Sequence, residues 1–197
     1  MMESFRGKRP RIHKTAFVHP SATIIGNVTI GKHSSIWPGA VIRADFAPIK
    51  IGRYTSIQDN AVLHSGDVYD EKKPKYYTTK IGNYVIVGHL ALVHGATIED
   101  QCIIGGNSLV FNGARVRKGS MIGLGAAVLR DFEVPPRTAV VGIPARPLRT
   151  ITNEEFWRIK TQAINYSKLA DEFIKAGSKS SRARHRWGKP RLRRKRG

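Results

Sequence analysis

The chain has one cysteine in 197 residues, so it can form no intrachain disulfide and belongs with proteins of reducing compartments rather than with disulfide-framed secreted scaffolds. It lacks any run of about eighteen apolar residues, the length a membrane-spanning helix needs, and residues 1–11 are basic and polar with no hydrophobic stretch behind them. Secretion and membrane spanning are therefore not expected, and the cytoplasm is the expected location. Acid is scarce as well: 14 Asp and Glu stand against 34 Lys and Arg, a formal charge of +20. The last twenty residues, 178–197, hold ten Lys or Arg and no acid, and so carry half of that charge. Such a tail is expected to be disordered when alone. It has the charge to meet nucleic acid or an anionic surface, but Trp187 is its only aromatic for stacking, and a solvated tail without a dedicated partner has the same composition.

What the chain does have is a period. A branched aliphatic falls on every sixth residue through Ile12, Val18, Ile24, Ile30, Ile36 and Ile42, then Ile51, Ile57 and Leu63, then Ile81, Val87 and Val93, and finally Ile98, Ile104, Val110, Val116, Ile122, Val128, Val134 and Val140. Six matches neither the 3.6 of an amphipathic helix nor the two of a lone strand; it suits an all-β solenoid whose flat sides each take one hexapeptide, three to a coil. Small residues recur two positions before the aliphatics, as at Ala22, Ala40, Ala61, Ala91, Ala114 and Ala126, where they can point into a narrow interior, and Cys102 sits at one such position as core filler. The register breaks three times: nine residues between Ile42 and Ile51, eighteen between Leu63 and Ile81, and five between Val93 and Ile98. The two insertions should become external loops. Past Val140 a breaker-rich exit, Val141 to Pro147, precedes a capping box of Thr152 and Glu155 and an apolar stripe of Phe156, Ile159, Ala163, Tyr166, Ala170 and Phe173. The expected organisation is an extension over 1–11, the solenoid over 12–147, a helical segment over 148–177 lying along the solenoid or against a neighbouring subunit, and the basic tail over 178–197.

The ladder also works as a ruler. Arg43, His64 and His94 each follow the third aliphatic of successive coils, so they form one column at one corner, with rungs about 4.8 Å apart. Two imidazoles at that spacing can converge on one ion with metal–nitrogen bonds of about 2.0–2.1 Å. His89 lies on another edge, above Asp59 and beside the position of Gln58. Five extended residues separate His89 from His94, roughly 16 Å at about 3.3 Å each, so if all three histidines share one ion, His89 comes from a second subunit. A side-to-side contact of that kind is heterologous and closes most simply, for a three-sided prism, as a threefold ring.

The repeat resembles the left-handed parallel β-helix of hexapeptide-repeat proteins, a resemblance that supplies the handedness. Arg43-Ala44-Asp45, Gln58-Asp59-Asn60, His64, Gly88-His89, His94-Gly95 and the exit Gly142-Ile143-Pro144-Ala145-Arg146 stand in the order and context of the γ-class carbonic anhydrase signature, and the likeness runs over about residues 8–176. The resemblance implies a homotrimer whose metal sites are shared between subunits, with His64, His89 and His94 as ligands of Zn²⁺, although Fe²⁺ or Co²⁺ would also accept three imidazoles. It implies hydration of CO₂ to bicarbonate by a metal-bound hydroxide, the metal lowering the pKa of its water toward about 7. Gln58 would hydrogen-bond the hydroxide or the bicarbonate. Arg43, Asp45 and Asp59 would serve subunit pairing and site organisation, with Arg43 also reaching bicarbonate. Asp67, three residues after His64, holds the position of a proton shuttle and opens an insertion containing Asp70 and Glu71, expected to be mobile. Phe46 stands where the family pattern has a second acid. Tyr166 matches a helix tyrosine near the metal, and is equally a member of the apolar stripe. His13, His19, His33 and His185 read as solvated. Two other functions fit the same repeat: a hexapeptide acyltransferase using acyl-CoA with one histidine as general base, and a non-catalytic metal-bearing trimer acting as a scaffold.

Overall fold

The computed structural model describes residues 1–68 and 73–184. Parallel strands stack as three flat faces around one core, followed by a single helix, α1, Asn153–Arg184. Face I carries Ile24, Ile42, Leu63, Val93, Val110 and Val128 in register. Face II carries Ile12, Ile30, Ile51, Ile81, Ile98, Val116 and Val134. Face III carries Val18, Ile36, Ile57, Val87, Ile104, Ile122 and Val140. The fold is a left-handed β-helix of hexapeptide repeats with about seven coils.

Each hexapeptide sends its aliphatic inward at the end of a short strand and a small residue inward at the corner two positions earlier. Branched aliphatics suit this pleated, buried surface. From Ile24 to Val140 the ladder residues are buried, and Ala22, Ala40, Ala61, Ala91, Ala114 and Ala126 are completely enclosed. Each buried Ile, Val or Leu contributes roughly 1.5–3 kcal/mol by leaving water. Cys102 is enclosed with them; burial pushes its thiol up to about 12, which leaves it inert.

The breaks in the repeat sit where they shape the molecule. Strand Val41–Ile51 continues around the corner from face I to face II, and its register against the previous coil jumps between Gly26 and Val28, so residues 45–48 bulge outward. The insertion after Leu63 starts and ends as an antiparallel pair, Gly66–Val68 with Lys75–Tyr77, so its ends are paired where a mobile loop was expected; Asp70 and Glu71 lie outside the described residues. The single-residue deletion after Val93 is taken up at Gly95, whose φ of 59° only glycine adopts freely.

Both ends differ from the expected boundaries. Residues 1–11 are not an appendage: Met2–Glu3 pairs with Ile24 and Ile25 as a further rung of face I, and Arg11–Ile12 opens face II. The period hides this because Met2 stands on the ladder and ten residues, including the tight turn Phe5 to Lys8, separate it from Ile12. At the other end Arg146–Thr150 is a strand antiparallel to Thr138–Val141, so the exit from the solenoid adds an edge to face III before the helix begins. Helix α1 passes through Gly177 to Arg184, since one glycine costs a helix only about 1 kcal/mol. The rest of the basic tail lies outside the described residues. Helix α1 lies along face III of its own solenoid, burying Ile159, Ala163 and Ala170 and packing Tyr166 and Phe173 on Phe17 and Trp37. Among the described residues no helix is long and apolar enough to cross a membrane.

The capping box forms as the sequence predicts: Glu155 N–H donates to Thr152 Oγ1 (3.2 Å), and Thr152 N–H donates to a Glu155 oxygen (2.9 Å). Arg149 holds the same carboxylate with two hydrogen bonds and brings its pKa down to about 2. Thr152→Ala should destabilise the start of α1 by about 1 kcal/mol, read by urea titration. Because the folded pKa of Glu155 is depressed, its contribution is complete above the ordinary 4.5 and is lost as pH falls toward about 2. Protection of the amides at the start of α1, measured as exchange relative to the unstructured chain at the same pH, should therefore fall across that window, and Glu155→Gln should remove this change in protection.

Candidate metal centre

The column read from the ladder exists. Arg43 pairs in register with His64, and His64 with His94, on face I at its corner with face II. The rings of His64 and His94 lie 4.9 Å apart, with His64 Nδ1 and His94 Nε2 separated by 2.9 Å. Each ring has its other nitrogen tied to an oxygen. His64 Nε2 donates to Asp45 Oδ1 (2.7 Å), and His94 Nδ1 donates to Asn112 Oδ1 (2.7 Å). Asn112 cannot turn its amide round, because Asn112 Nδ2 donates to the backbone carbonyl of Asp67 (2.8 Å). His94 Nε2 is therefore a lone pair.

The state of His64 follows from its surroundings. Burial pushes its pKa down; the hydrogen bond to Asp45 opposes that, Arg43 and His94 add to it, and the result lies below the ordinary 6.5. Neutral His64 with Nε2–H committed to Asp45 presents a second lone pair at Nδ1. Two imidazole lone pairs facing each other across 2.9 Å repel unless a cation lies between them. The residues thus fit a divalent metal, whose tetrahedral bonds would hold two nitrogens about 3.3 Å apart. Asp45 is the organiser: burial raises its pKa, but the hydrogen bond and charge of His64, its own backbone hydrogen bonding and the ion-paired Arg43 guanidinium bring it below the ordinary range.

His89 stands apart, at the corner between face III and face I. Its Nδ1 meets Asp59 Oδ2 at 3.0 Å, and the ring, 60% exposed, presents Nε2 outward. The chain between His89 and His94 is not extended as the sequence reading assumed; it turns at Leu90 with φ 61°. Even so, among the described residues no three His, Cys, Asp or Glu side chains of one protomer gather to hold a metal. His64 and His94 share one device: an oxygen fixes one nitrogen and turns the other toward the neighbouring ring, the orientation that metal-binding imidazoles require, while Asp59 stands within ion-pair distance of His89.

Gln58 is buried beside Asp59, one coil after Trp37 in the same column. Tyr166 packs edge-on against Trp37 (6.1 Å), on the His89 side of the prism and not with the His64–His94 pair of its own chain. Asp67 lies in the paired start of the insertion and reaches the site through its backbone carbonyl. Phe46 places its ring edge-on to His64 (5.8 Å) and stacked on Tyr76 (5.5 Å), so an aromatic pair covers the spot where an acid would stand. Sequence reasoning missed Asn112, Tyr76 and Phe111. Phe111, stacked on His94 at 5.2 Å, was within reach of the ladder because it follows Val110 in the same column; Asn112 and Tyr76 carried no such signal.

Comparison with known proteins bears on this site directly. Residues 9–44 match the family model described as bacterial transferase hexapeptide (six repeats). A probable carbonic anhydrase of Methanocaldococcus jannaschii is 42% identical over 160 residues, 81% of this chain and 96% of its own. The chain belongs to the γ-class carbonic anhydrase family. The mitochondrial gamma carbonic anhydrase 1 of Arabidopsis thaliana is also 42% identical, over 163 residues that make up 83% of this chain. The chain spans only 58% of that plant protein's length. Among solved structures, a hexapeptide transferase family protein from Anaplasma phagocytophilum superposes with a TM-score of 0.80 at 35% identity, covering 87% of this chain and 97% of its own.

Removing the oxygen that orients His94 should weaken the site without unfolding the solenoid. Asn112→Ala should lower metal affinity about 10- to 100-fold, measured by competition with a chromogenic chelator, while the β-sheet circular dichroism is retained.

Proposed function

We propose that the protein catalyses the metal-dependent, reversible hydration of CO₂ to bicarbonate, at sites built from His64 and His94 of one subunit and His89 of its neighbour in a homotrimer. The observation that carries this reading is the pair of facing imidazole nitrogens, each ring oriented by an oxygen on its far side, with a third histidine beside Asp59 at the opposite edge of face I. The surface between those two corners supports the shared site. Its outward residues stack as Val41, Val62, Leu92, Leu109 and Ala127, an apolar column, and Val62 and Leu90 are 36% and 60% exposed in the isolated chain. A neighbour seated on that column would cover it and bring its His89 edge toward the His64–His94 edge.

A bound divalent cation, assigned as Zn²⁺ with Fe²⁺ and Co²⁺ as alternatives, supplies Lewis acidity that brings a water's pKa toward about 7. The chain's own residues do the rest. Asp45, Asn112 and Asp59 hold the three imidazoles in their ligand tautomers. Gln58, uncharged and buried beside Asp59, donates or accepts a hydrogen bond without competing for the ion. Arg43, nearly half exposed beside Asp45, meets bicarbonate with positive charge on its way out. Asp67 accepts the released proton and passes it to solvent; Phe46 and Tyr76 keep bulk water off His64. Tyr166 closes the His89 side against Trp37. The buried Cys102 and the missing disulfides fit a reducing compartment, and the cytoplasm is the setting this reading assigns.

The test uses two inactive variants. His89→Ala and His64→Ala, each expected to lose CO₂ hydration, should regain metal and activity when mixed under subunit exchange, because a mixed ring contains some sites with all three ligands. Verified exchange with no recovered metal would rule out the shared site. Acetyl transfer from acetyl-CoA by metal-free protein would instead support the acyltransferase reading, which the transferase description of the Anaplasma relative keeps in view. Metal binding with neither activity would leave a scaffold.

A further inference from the structure

Face II is covered neither by α1, which lies on face III, nor by the contact proposed for face I. Its outward column reads Arg11, Thr29, Lys50, Lys80, Thr97, Arg115 and Glu133. At the corner toward face III, Lys32 and Arg53 follow on successive rungs, with Lys14 on the first. Across the first four coils this surface therefore presents six Lys or Arg and no acid; Glu99, Asp100 and Glu133 appear only farther along. None of the six shares an ion pair among the described residues, whereas Arg117, beyond the patch, is neutralised by Glu99 and Glu133.

One feature of this surface is unfavourable for a protein with no ligand there. Lys50 and Lys80 stand directly opposite each other on adjacent strands, and like charges so placed repel. Beside them three rings, His33, Tyr54 and Tyr84, occupy the positive-φ corner position, three residues after the ladder, that Leu90, Gln101 and Arg137 also take. Those three rings stack along the corner at 4.8 and 5.3 Å, with Arg53 and Lys160 over Tyr84. A row of cations at rung spacing beside stacked rings is the pairing that backbone phosphates and unpaired bases require. An anionic membrane would call for exposed large apolar anchors, and none of the exposed large hydrophobic residues belongs to these two rows.

We propose that the first four coils of face II, with the His33–Tyr54–Tyr84 corner, form a binding surface for single-stranded nucleic acid, phosphates lying on Arg11, Lys50, Lys80, Lys32 and Arg53 and bases against the aromatic stack. This surface is separate from the basic tail and does not depend on the hydration chemistry.

The test is anisotropy of a fluorescein-labelled single-stranded RNA of mixed sequence with the full chain over a range of KCl concentrations. Five phosphate contacts predict a slope of log K against log salt of about −3.5. Lys80→Glu should weaken binding about tenfold and flatten the slope by about 0.7, while leaving or raising the Tm because the carboxylate it introduces faces Lys50. Tyr54→Asn suits the positive φ and removes the ring, so it should weaken binding roughly tenfold with the slope unchanged. Absence of RNA binding, or binding untouched by both substitutions and abolished by Arg193→Glu with Arg194→Glu in the tail, would overturn the proposal. An effect of Lys80→Glu without one of Tyr54→Asn, or binding of phosphatidylserine vesicles in place of RNA, would overturn nucleic acid as the occupant.

Discussion

Backbone hydrogen bonds between successive coils hold residues of equal phase one above another at about 4.8 Å, and the properties of this molecule descend from that stacking. Aliphatic on aliphatic is favourable, and the repetition of it through all three faces makes the core. Imidazole on imidazole is neutral or repulsive according to where the protons sit, so the His64–His94 pair becomes a place for a cation once Asp45 and Asn112 have fixed the protons on the far sides. Ammonium on ammonium is repulsive, and Lys50 over Lys80 calls for an anion. One geometric rule applied to three side-chain chemistries produces a core, a candidate metal site and a charged surface.

The three faces divide the work. Face III is closed by the chain's own helix, whose apolar stripe meets Phe17 and Trp37. Face I is apolar between its two histidine corners and is suited to a second copy. Face II is polar and open. Such a partition is available to a prism because each face has its own outward column that can change without touching the inward one. Asp45 shows how the corners add precision: the resemblance gave it subunit pairing and site organisation, and within one chain it already orients His64.

Most of the fold and half of the site were legible in the sequence for the same reason, namely that position in a hexapeptide repeat is position in space. Arg43, His64 and His94 could be placed in one column, and Asp59 under His89, by counting. Counting fails where length stops being a multiple of six. Met2 joins the first rung across a connection that is not a multiple of six, and Tyr76 comes to Phe46 through an insertion whose path the period does not describe. The helix end was misjudged at Gly177 because a local breaker signal was given more weight than the helix-forming residues around it.

Asn112 orients His94 only because a main-chain carbonyl, that of Asp67, holds its amide in place. Every amino acid offers the same carbonyl. The insertion can therefore exchange its side chains, including any that move protons, without disturbing the tautomer of the metal ligand, provided its backbone leaves the solenoid along the same track. Turnover and metal retention are in this way separately adjustable: drift in the loop's sequence tunes the first, and only a change in its length or exit angle reaches the second.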